Sequence, residues 1–269
     1  MFSVKDKVVV ITGGAGVLGS HAAESLAEAG AKVVILDRVK EYAHEFVDQL
    51  NKKFPNSALG LGCDVLSKDS LLQAKDTVLK VYRRIDALLN AAGGNMPGAT
   101  IGIDQTIFDL SLDDFQKVTD LNLNGTVIPS LVFGQVMAEQ GHGSIVNYSS
   151  MTVDRAITRV VGYSASKAAM ENFTRWFSVE MATKFSSSIR VNAIAPGFFI
   201  GEQNRALLTN EDGSYTERGD TIIRNTPMKR FGEPGELNGV IHFLLSDASK
   251  FMTGVVVPVD GGFSAFSGV

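Results

Sequence analysis

Short apolar runs rich in β-branched residues alternate along the chain with longer segments whose apolar residues recur at helical spacing. The runs predict strands at residues 7–12, 31–37, 57–63, 85–90, 143–148, 188–195 and 254–259. The longer segments predict helices at residues 17–29, 40–53, 68–83, 113–139, 161–185 and 234–246. This alternation is typical of an α/β fold, so we expect a Rossmann-type doubly wound parallel sheet with right-handed crossovers.

Two insertions interrupt the alternation, residues 95–112 after the fourth strand and residues 198–231 after the sixth. Long connections in a compact domain are usually functional. We therefore predict that both lie over the substrate site and that the second forms a lid; a solvated decoration is the alternative. No Pro- or Ser-rich linker divides the chain, which predicts one dinucleotide-binding and catalytic domain over residues 1–269.

A glycine-rich turn joins the first strand to the first helix. Gly14, Gly16 and Gly19 satisfy the Gly-x-Gly-x-x-Gly pattern, in which a pyrophosphate meets the N-terminus of the helix. The second strand ends at Asp37, whose carboxylate would accept hydrogen bonds from a ribose and repel a 2′-phosphate. The sequence therefore favours NAD(H) over NADP(H), while the adjacent Arg38 leaves the strictness of that preference open.

A tyrosine and a lysine stand four residues apart in the helix predicted at residues 161–185. Tyr163 and Lys167 would leave the same helix face, and the ammonium would favour ionisation of the phenol. Ser150 follows a buried strand, from which its hydroxyl can return toward Tyr163. Taken alone, this spacing is most often an ordinary surface pair, so its interpretation as acid–base machinery depends on the nucleotide site.

The candidate residues share one position in the predicted fold. Ligands of doubly wound sheets bind beyond the carboxyl ends of the strands. Six candidates end or follow predicted strands: Gly13, Asp37, Asp64, Asn90, Ser150 and Pro196. Their convergence predicts a single site.

Composition argues against several other classes of function. The net charge of −4 and the pI near 5.6 offer no basic stripe for nucleic acid, and no apolar stretch reaches the roughly 18 residues of a membrane span. Cys63 is the single cysteine, which suits a reducing cytoplasm and a packed thiol. We predict no metal site, because metal-ligand spacing is absent from the four histidines, His21, His44, His142 and His242.

Together these motifs resemble the short-chain dehydrogenase/reductase family, and the resemblance runs through the whole chain. Asn90-Ala91-Ala92-Gly93, the segment around Asn122, Pro196-Gly197 and Val259-Asp260-Gly261-Gly262 match landmarks of the family. The glycine turn departs from the usual pattern, since Val17 occupies the position of the middle glycine.

A more detailed resemblance is to the D-mannonate oxidoreductase (D-fructuronate reductase) branch of that family. It is carried by residues 198–205, 216–219 and 226–232, by the shifted glycine turn and by the ending at residues 261–264. The resemblance implies that NADH reduces the ketone of a sugar acid in hexuronate metabolism. It also implies a cytoplasmic homotetramer assembled through the helices at residues 113–139 and 161–185.

The resemblance further implies roles for individual residues. Tyr163 would exchange the proton, Ser150 would hold the substrate oxygen, Lys167 would lower the pKa of Tyr163 and bind the nicotinamide ribose, and Asn122 would hold a water linking Lys167 to solvent. Cofactor contacts are implied for Gly13, Gly14, Gly16, Val17, Leu18, Gly19, Asp37, Arg38, Asp64, Val65, Asn90, Ala91, Ala92, Gly93, Tyr163, Lys167, Pro196, Gly197 and Phe199. Substrate contacts are implied for Asn95, Ser150, Met151, Tyr163, Phe198, Asn204 and Arg205.

A sugar-acid carboxylate needs an anchor that turns the ketone toward the nicotinamide. Arginine suits this task, because its planar fork matches a carboxylate in two parallel hydrogen bonds. We favour Arg205 as the anchor, because it lies in the segment that resembles the D-mannonate oxidoreductase branch. An ordinary solvated arginine of the lid is an equally good interpretation of this position. Arg155, Arg159, Gln203 and Asn204 are the alternatives.

Three other functions stay open at this point. The nearest is a related short-chain enzyme that acts on another polyol or keto acid. An acyl-carrier-protein ketoreductase is less favoured, because Asp37 opposes NADPH and no basic docking patch is evident. A catalytically silent NAD(H)-binding regulator would have to retain the complete set of Asn122, Ser150, Tyr163 and Lys167 without using it.

Overall fold

A sheet of seven parallel strands forms the centre of the molecule. The structure, a computed structural model, describes residues 1–268, without the side chains of residues 202–204. In chain order the strands are β1 (Val8–Thr12), β2 (Lys32–Asp37), β3 (Ala58–Gly62), β4 (Ala87–Asn90), β5 (Gly143–Tyr148), β6 (Ile189–Pro196) and β7 (Val256–Val259). Their order across the sheet is β3-β2-β1-β4-β5-β6-β7, which confirms the predicted doubly wound topology.

Nine α-helices lie within the described residues. They are α1 (Val17–Glu28), α2 (Lys40–Lys53), α3 (Lys68–Tyr82), α4 (Leu112–Thr119), α5 (Gly125–Gln140), α6 (Val161–Lys184), α7 (Glu202–Leu208), α8 (Glu217–Asn225) and α9 (Asn238–Leu245). None of them, in this described part of the chain, is long and apolar enough to cross a membrane.

Two apolar layers cover the two faces of the sheet. On one face α1, α2 and α9 contribute side chains such as Leu26 and Ile241, and on the other α3, α5 and α6 contribute Phe133 and Phe177. A strand covered on both faces has no polar side to present, which explains why β1, Val8–Thr12, is buried along its whole length. The same double burial explains why the strands appear in the sequence as continuous apolar runs.

The helix predicted at residues 113–139 is helical throughout, but it is not a regular α-helix. A π-helical turn at Asp120–Asn124 joins α4 to α5. The Nδ2 of Asn122 donates to the carbonyl of Val118 at 2.8 Å, where it competes with the backbone N–H groups that would continue the α-helix. Such wide turns are common at functional sites. The prediction of the helical span agrees with the structure, and the π-helical turn at Asn122 was not predicted.

The two insertions have different structures. Residues 95–112 contain 3₁₀ turns at Pro97–Ala99 and Ile107–Asp109. Residues 198–231 carry α7 and α8, which are joined by a turn-rich tip and held by an apolar cluster that includes Leu208, Ile222 and Phe231. The second insertion is thus a small helical unit with its own packing.

The strand order reverses between β1 and β4, which opens a crevice at the carboxyl edge of the sheet. Every residue that the sequence places at strand ends lies at this edge: Gly13, Asp37, Asp64, Asn90, Ser150 and Pro196. Both insertions also leave from this edge, since one follows β4 and the other follows β6.

Candidate active site

The glycine turn after β1 makes close backbone contact with the segment after β4. Gly13 has a φ of 61°, and a Cβ added to it would lie 2.8 Å from the Cα of Ala92. The carbonyl and hydroxyl of Thr12 accept hydrogen bonds from the N–H groups of Ala91 and Ala92, both at 3.2 Å. Only glycine fits at Gly13, because a side chain would meet both a strained conformation and an occupied space.

The N-terminus of α1 offers unpaired donors to an anion. Its N-cap is Gly16, which provides no side-chain hydrogen bond, and no acidic residue occupies its first turn, Val17, Leu18 and Gly19. A Cβ on Gly19 would overlap the carbonyl oxygen of Gly13, so the turn can close only with glycine there. The free N–H groups and the helix dipole together fit a pyrophosphate.

The end of β2 presents a carboxylate beside this turn. Oδ1 of Asp37 accepts from the N–H of Val39 at 3.1 Å, while within the described residues Oδ2 has no partner. That oxygen fits a ribose hydroxyl. Arg38 is exposed.

The loop after β3 is held by contacts within itself and with the start of α5. Oδ1 of Asp64 accepts from the N–H of Leu66 at 2.9 Å, and Val65 is buried against Gly125. Cys63 is buried, and burial raises the pKa of its thiol, which agrees with the packed cysteine that the sequence predicts.

The structure brings Ser150, Tyr163 and Lys167 together. Ser150 follows β5, and its hydroxyl lies near enough to the phenol of Tyr163, at the start of α6, to lower the pKa of that phenol. One turn further along α6, the Nζ of Lys167 lies 5.5 Å from the centroid of the Tyr163 ring. This ammonium donates to the carbonyl of Tyr148 at 2.6 Å.

Burial dominates the electrostatics of this pair. Desolvation raises the pKa of Tyr163, and the nearby Ser150 hydroxyl lowers it only in part. Desolvation also lowers the pKa of Lys167 to about 8. Lys167 is directed at the carbonyl of Tyr148 and the face of the Tyr163 ring. Burial is the largest influence on the pKa of Tyr163 here, and the expectation that Lys167 lowers that pKa stays a prediction.

Asn122 links the π-helical turn to the chain after β4. Its Nδ2 donates to the carbonyls of Gly94 and Val118, both at 2.8 Å, and its Oδ1 accepts from the N–H of Gly94 at 3.0 Å. A Cβ on Gly93 would lie 2.8 Å from this Oδ1 and 3.3 Å from the Nζ of Lys167. Asn122 thus fixes the backbone that passes over Lys167, while the predicted water is a hypothesis that these contacts leave untested.

The sequence analysis missed a buried carboxylate below the site. The hydroxyl of Ser149 donates to Oε1 of Glu171 at 2.5 Å, and Arg175 pairs with Oε2 at 3.0 Å. This contact holds the residue that precedes Ser150. The signal was present, because Glu171 stands four residues beyond Lys167 and therefore on the same helix face.

A polar ladder crosses the sheet beneath the same residues. Nδ2 of Asn90 donates to Ser130 and to Oδ1 of Asn147, and Nδ2 of Asn147 donates to Thr174, at 2.8 to 2.9 Å. Asn90 therefore lies inside the fold, where it ties β4, β5, α5 and α6 together.

The predicted cofactor residues after β6 border the second insertion. The N–H of Gly197 donates to the carbonyl of Val259 at 2.9 Å, and the carbonyl of Pro196 accepts from the N–H of Met151 at 3.2 Å. Phe199 is buried and pairs with Gly232 across the base of the insertion. These contacts hold the two ends of the insertion together beside the crevice.

The predicted substrate residues have varied surroundings. Asn95 donates to the hydroxyl of Thr100 at 2.7 Å, and its buried Oδ1 has no partner among the described residues. Met151 is buried, Phe198 packs edge-on against Phe263 and Arg205 is exposed on α7. The side chain of Asn204, like that of Gln203, lies outside the described residues.

The histidines lie apart from this site. His21, His44 and His242 are on helices, as the sequence predicts, while His142 lies in the short connection between α5 and β5, and burial lowers the pKa of His242. Across residues 1–268, no group of three or more His, Cys, Asp or Glu side chains is arranged to hold a metal ion.

A glycine turn suited to a dinucleotide, beside a neighbouring Ser-Tyr pair and a buried lysine, is typical of a nucleotide-dependent oxidoreductase site. Comparison with known proteins agrees with this assignment. Residues 13–264 match the family model described as enoyl-(acyl carrier protein) reductase. The uncharacterized oxidoreductase UxuB of Bacillus subtilis (strain 168) is 42% identical over 272 residues, which cover 98% of this chain and 96% of that protein.

Two further relatives extend the comparison. The NAD-dependent glycerol dehydrogenase of Listeria innocua is 33% identical, with 98% of this chain and 96% of that protein covered. A solved structure of a candidate D-mannonate oxidoreductase from Haemophilus influenza, with bound NAD, is 38% identical, has a TM-score of 0.92 and is matched over 99% of this chain and 98% of its own. The chain therefore belongs to the short-chain dehydrogenase/reductase family of oxidoreductases, which confirms the predicted resemblance.

The buried ammonium of Lys167 predicts an unusual dependence of stability on pH. Its pKa falls from about 10.4 in the unfolded chain to about 8 in the folded one. Below pH 8 both states hold the proton, so the cost of burying the charge is fully present. Above pH 8 the folded state releases it first, and wild-type stability rises relative to Lys167→Met.

We therefore expect the stability advantage of Lys167→Met to shrink by about 1 to 3 kcal/mol between pH 7 and about pH 10. Urea unfolding of both proteins at each pH measures this difference. Lys184→Met, at the exposed end of the same helix, is the matched control and should show no such trend. An advantage that stays constant over this range would show that Lys167 remains charged.

Proposed function

We propose that the protein interconverts D-mannonate and D-fructuronate by NAD(H)-dependent hydride transfer. The observation that carries the chemistry is the buried cluster in which the Ser150 hydroxyl lies beside the Tyr163 phenol and Lys167 lies against the face of the Tyr163 ring. The choice of substrate is supported by the similarity to the candidate D-mannonate oxidoreductase, which spans both insertions.

The cofactor is NAD(H). The free donors at the N-terminus of α1 suit its pyrophosphate, and the unpartnered oxygen of Asp37 suits its adenosine ribose. A carboxylate at this position repels a 2′-phosphate, and the exposed Arg38 makes no ion pair with it. Similarity to an NAD-dependent dehydrogenase and to an NAD-bound structure supports the same assignment.

In the reductive direction the bound NADH supplies a hydride to the ketone carbon. Tyr163 donates its phenolic proton to the carbonyl oxygen, and the Ser150 hydroxyl donates a hydrogen bond to that oxygen as negative charge develops on it. Because burial raises the pKa of Tyr163, the phenol holds its proton at neutral pH and is ready to donate. Lys167 donates to the carbonyl of Tyr148 and lies against the face of the Tyr163 ring, and in this scheme it would bind the nicotinamide ribose.

Asn122 and Glu171 act as positioning residues in this scheme. Asn122 holds Gly94 and thereby the backbone above Lys167, and Glu171 holds Ser149 next to Ser150. Pre-organisation of this kind keeps the proton donor and the hydrogen-bond donor aimed at one point.

The alternatives gain less support. The family model takes its description from an enoyl reductase of acyl-carrier protein, and an acyl-carrier-protein ketoreductase stays a rival, but Asp37 opposes NADPH. A related enzyme acting on another polyol or keto acid shares all of the geometry above. A catalytically silent regulator conflicts with the assembled Ser150, Tyr163 and Lys167.

The proposed assembly is a cytoplasmic homotetramer. Trp176 and Val179 are 62% and 61% exposed on α6, and Leu131 is 53% exposed on α5. These apolar side chains suit burial between subunits, and the family resemblance suggests the same helices.

A substrate panel tests the proposed function directly. We expect NADH oxidation, followed at 340 nm, to be fastest with D-fructuronate among keto sugar acids, and slower with the uncharged ketose D-fructose. A faster reaction with another keto acid would assign the protein to a related enzyme. Saturable NADH binding without turnover of any substrate would instead support the silent regulator.

Removal of the phenolic hydroxyl tests the proton donor. Tyr163→Phe keeps the ring over Lys167 but cannot donate, so turnover should fall by at least about a hundredfold. NADH affinity, measured by fluorescence titration, should change little. Tyr42→Phe, on the exposed side of α2, is the matched control. Near-normal turnover of Tyr163→Phe would remove this residue from the mechanism.

Replacement of the β2 carboxylate tests the cofactor preference. Asp37→Ala should weaken the use of NADH and improve the use of NADPH, because it removes both the ribose acceptor and the charge that opposes a phosphate. The ratio of kcat/KM for the two cofactors measures the change, with the exposed Asp48→Ala as control. A wild-type enzyme that prefers NADPH would contradict the assignment.

A further inference from the structure

Arg159 occupies a constrained position just before the catalytic helix. It lies in the loop between Ser150 and Tyr163 with a φ of 76°, a conformation that arginine seldom adopts. Its Nε donates to the carbonyl of Ile101 at 2.6 Å, and its own carbonyl accepts from the N–H of Ile101 at 3.0 Å. These bonds hold the Nε end of the guanidinium group in place. The terminal N–H groups of Arg159 have no partner among the described residues.

Arg218 lies in the second insertion, near enough to Arg159 to be affected by its charge. It lies in the first turn of α8, which is anchored by Ile222 in the cluster with Leu208 and Phe231. It is half-buried, and burial lowers its pKa, which the nearby positive charge of Arg159 lowers further. In the part of the chain that the structure describes, Arg218 has neither a hydrogen bond nor an ion pair.

Two other arginines of the second insertion do have partners. Arg230, at the end of the same insertion, forms a two-pronged pair with Glu236 at 2.6 and 2.7 Å. Arg224 of α8 donates to the hydroxyl of Thr221 at 3.0 Å. The acidic residues in the first turn of α8, Glu217 and Asp220, are exposed and form no ion pair with Arg218.

A half-buried arginine beside a second positive charge, with no counter-charge, is unfavourable, and an anion between the two relieves both the repulsion and the lost solvation. The planar forks of two arginines suit a carboxylate, which can accept hydrogen bonds on both of its oxygens. The two arginines also lie on segments beside the candidate site. Arg159 precedes α6, which carries Tyr163, and Arg218 lies in the second insertion, the predicted lid.

We propose that Arg159 and Arg218 form the anchor for the carboxylate of the sugar-acid substrate, a role that rests on the proposed function and that deepens it. With the carboxylate held between loop and lid, the rest of the carbon chain extends toward Ser150 and Tyr163. Substrate charge then links the lid to the catalytic loop. This anchor replaces Arg205, which is exposed on α7.

Matched arginine variants test the anchor. Arg218→Gln and Arg159→Gln should each raise the KM for D-fructuronate by roughly tenfold to a hundredfold, the loss expected for a hydrogen bond to a charged group. The KM for D-fructose should change by less than about threefold, since that substrate has no carboxylate. Arg218→Lys, which keeps the charge without the fork, should give an intermediate value.

Arg224→Gln on the same helix and Arg205→Gln on α7 are the controls, and both should behave as wild type. NADH affinity and thermal melting verify that each variant is folded with an intact cofactor site. Equal effects on the charged and uncharged substrates would overturn the anchor, as would a larger effect of Arg205→Gln.

A binding measurement separates the anchor from the reaction. Calorimetric titration of D-mannonate into the NAD-loaded protein reports the carboxylate site without turnover. Loss of binding in Arg218→Gln supports the anchor even if the wild type turns over another sugar acid faster, an outcome that contradicts only the proposed substrate. Unchanged binding in both variants, or no binding to the wild type, overturns the anchor whatever the panel shows.

Discussion

The burial of the Lys167 ammonium is the constraint around which the site is arranged. The side chain is 3% exposed, and no carboxylate among the described residues pairs with it. Its stabilising contacts are a carbonyl, that of Tyr148, and the face of the Tyr163 ring. A charge held in this way is costly, so the surrounding fold has to fix each of these acceptors in place.

The layer beneath the site supplies this rigidity with polar contacts. Tyr148 ends β5, and the neighbouring Asn147 is hydrogen-bonded to both Asn90 and Thr174. Buried amides of this kind are stabilising only when their partners are in position, so the strands and helices they join have little freedom to shift. The polar ladder therefore ties β4, β5 and α6 into one support for Tyr163, the proposed proton donor.

Much of this architecture could be predicted from the sequence, because it follows from local patterns. Apolar runs fix the strands, the parallel sheet places Gly13, Asp37 and Ser150 at one edge, and helical spacing places Lys167 beneath Tyr163. These are consequences of residue order and of general geometry.

The rest depends on contacts between distant segments. The π-helical turn exists because the side chain of Asn122 bonds both to Val118 and to Gly94, and helical periodicity contains no information about that second partner. The pKa of Tyr163 follows from how much water its surroundings exclude, which spacing alone cannot express. The approach of Arg218 to Arg159 depends on the packing of α8 within the lid.

The unusual residue of the glycine turn, Val17, also makes a contact between segments that are distant in sequence. Val17, at the position of the family's middle glycine, lies in the first turn of α1 and faces Gly201 at the base of the lid. A side chain added to Gly201 would meet the methyl groups of Val17 at 3.6 to 3.7 Å, so the lid passes directly over the start of the cofactor helix. A β-branched residue there gives the lid an apolar surface that glycine could not provide. The altered turn and the base of the second insertion are therefore one packing arrangement, in which the predicted lid rests on the predicted cofactor turn.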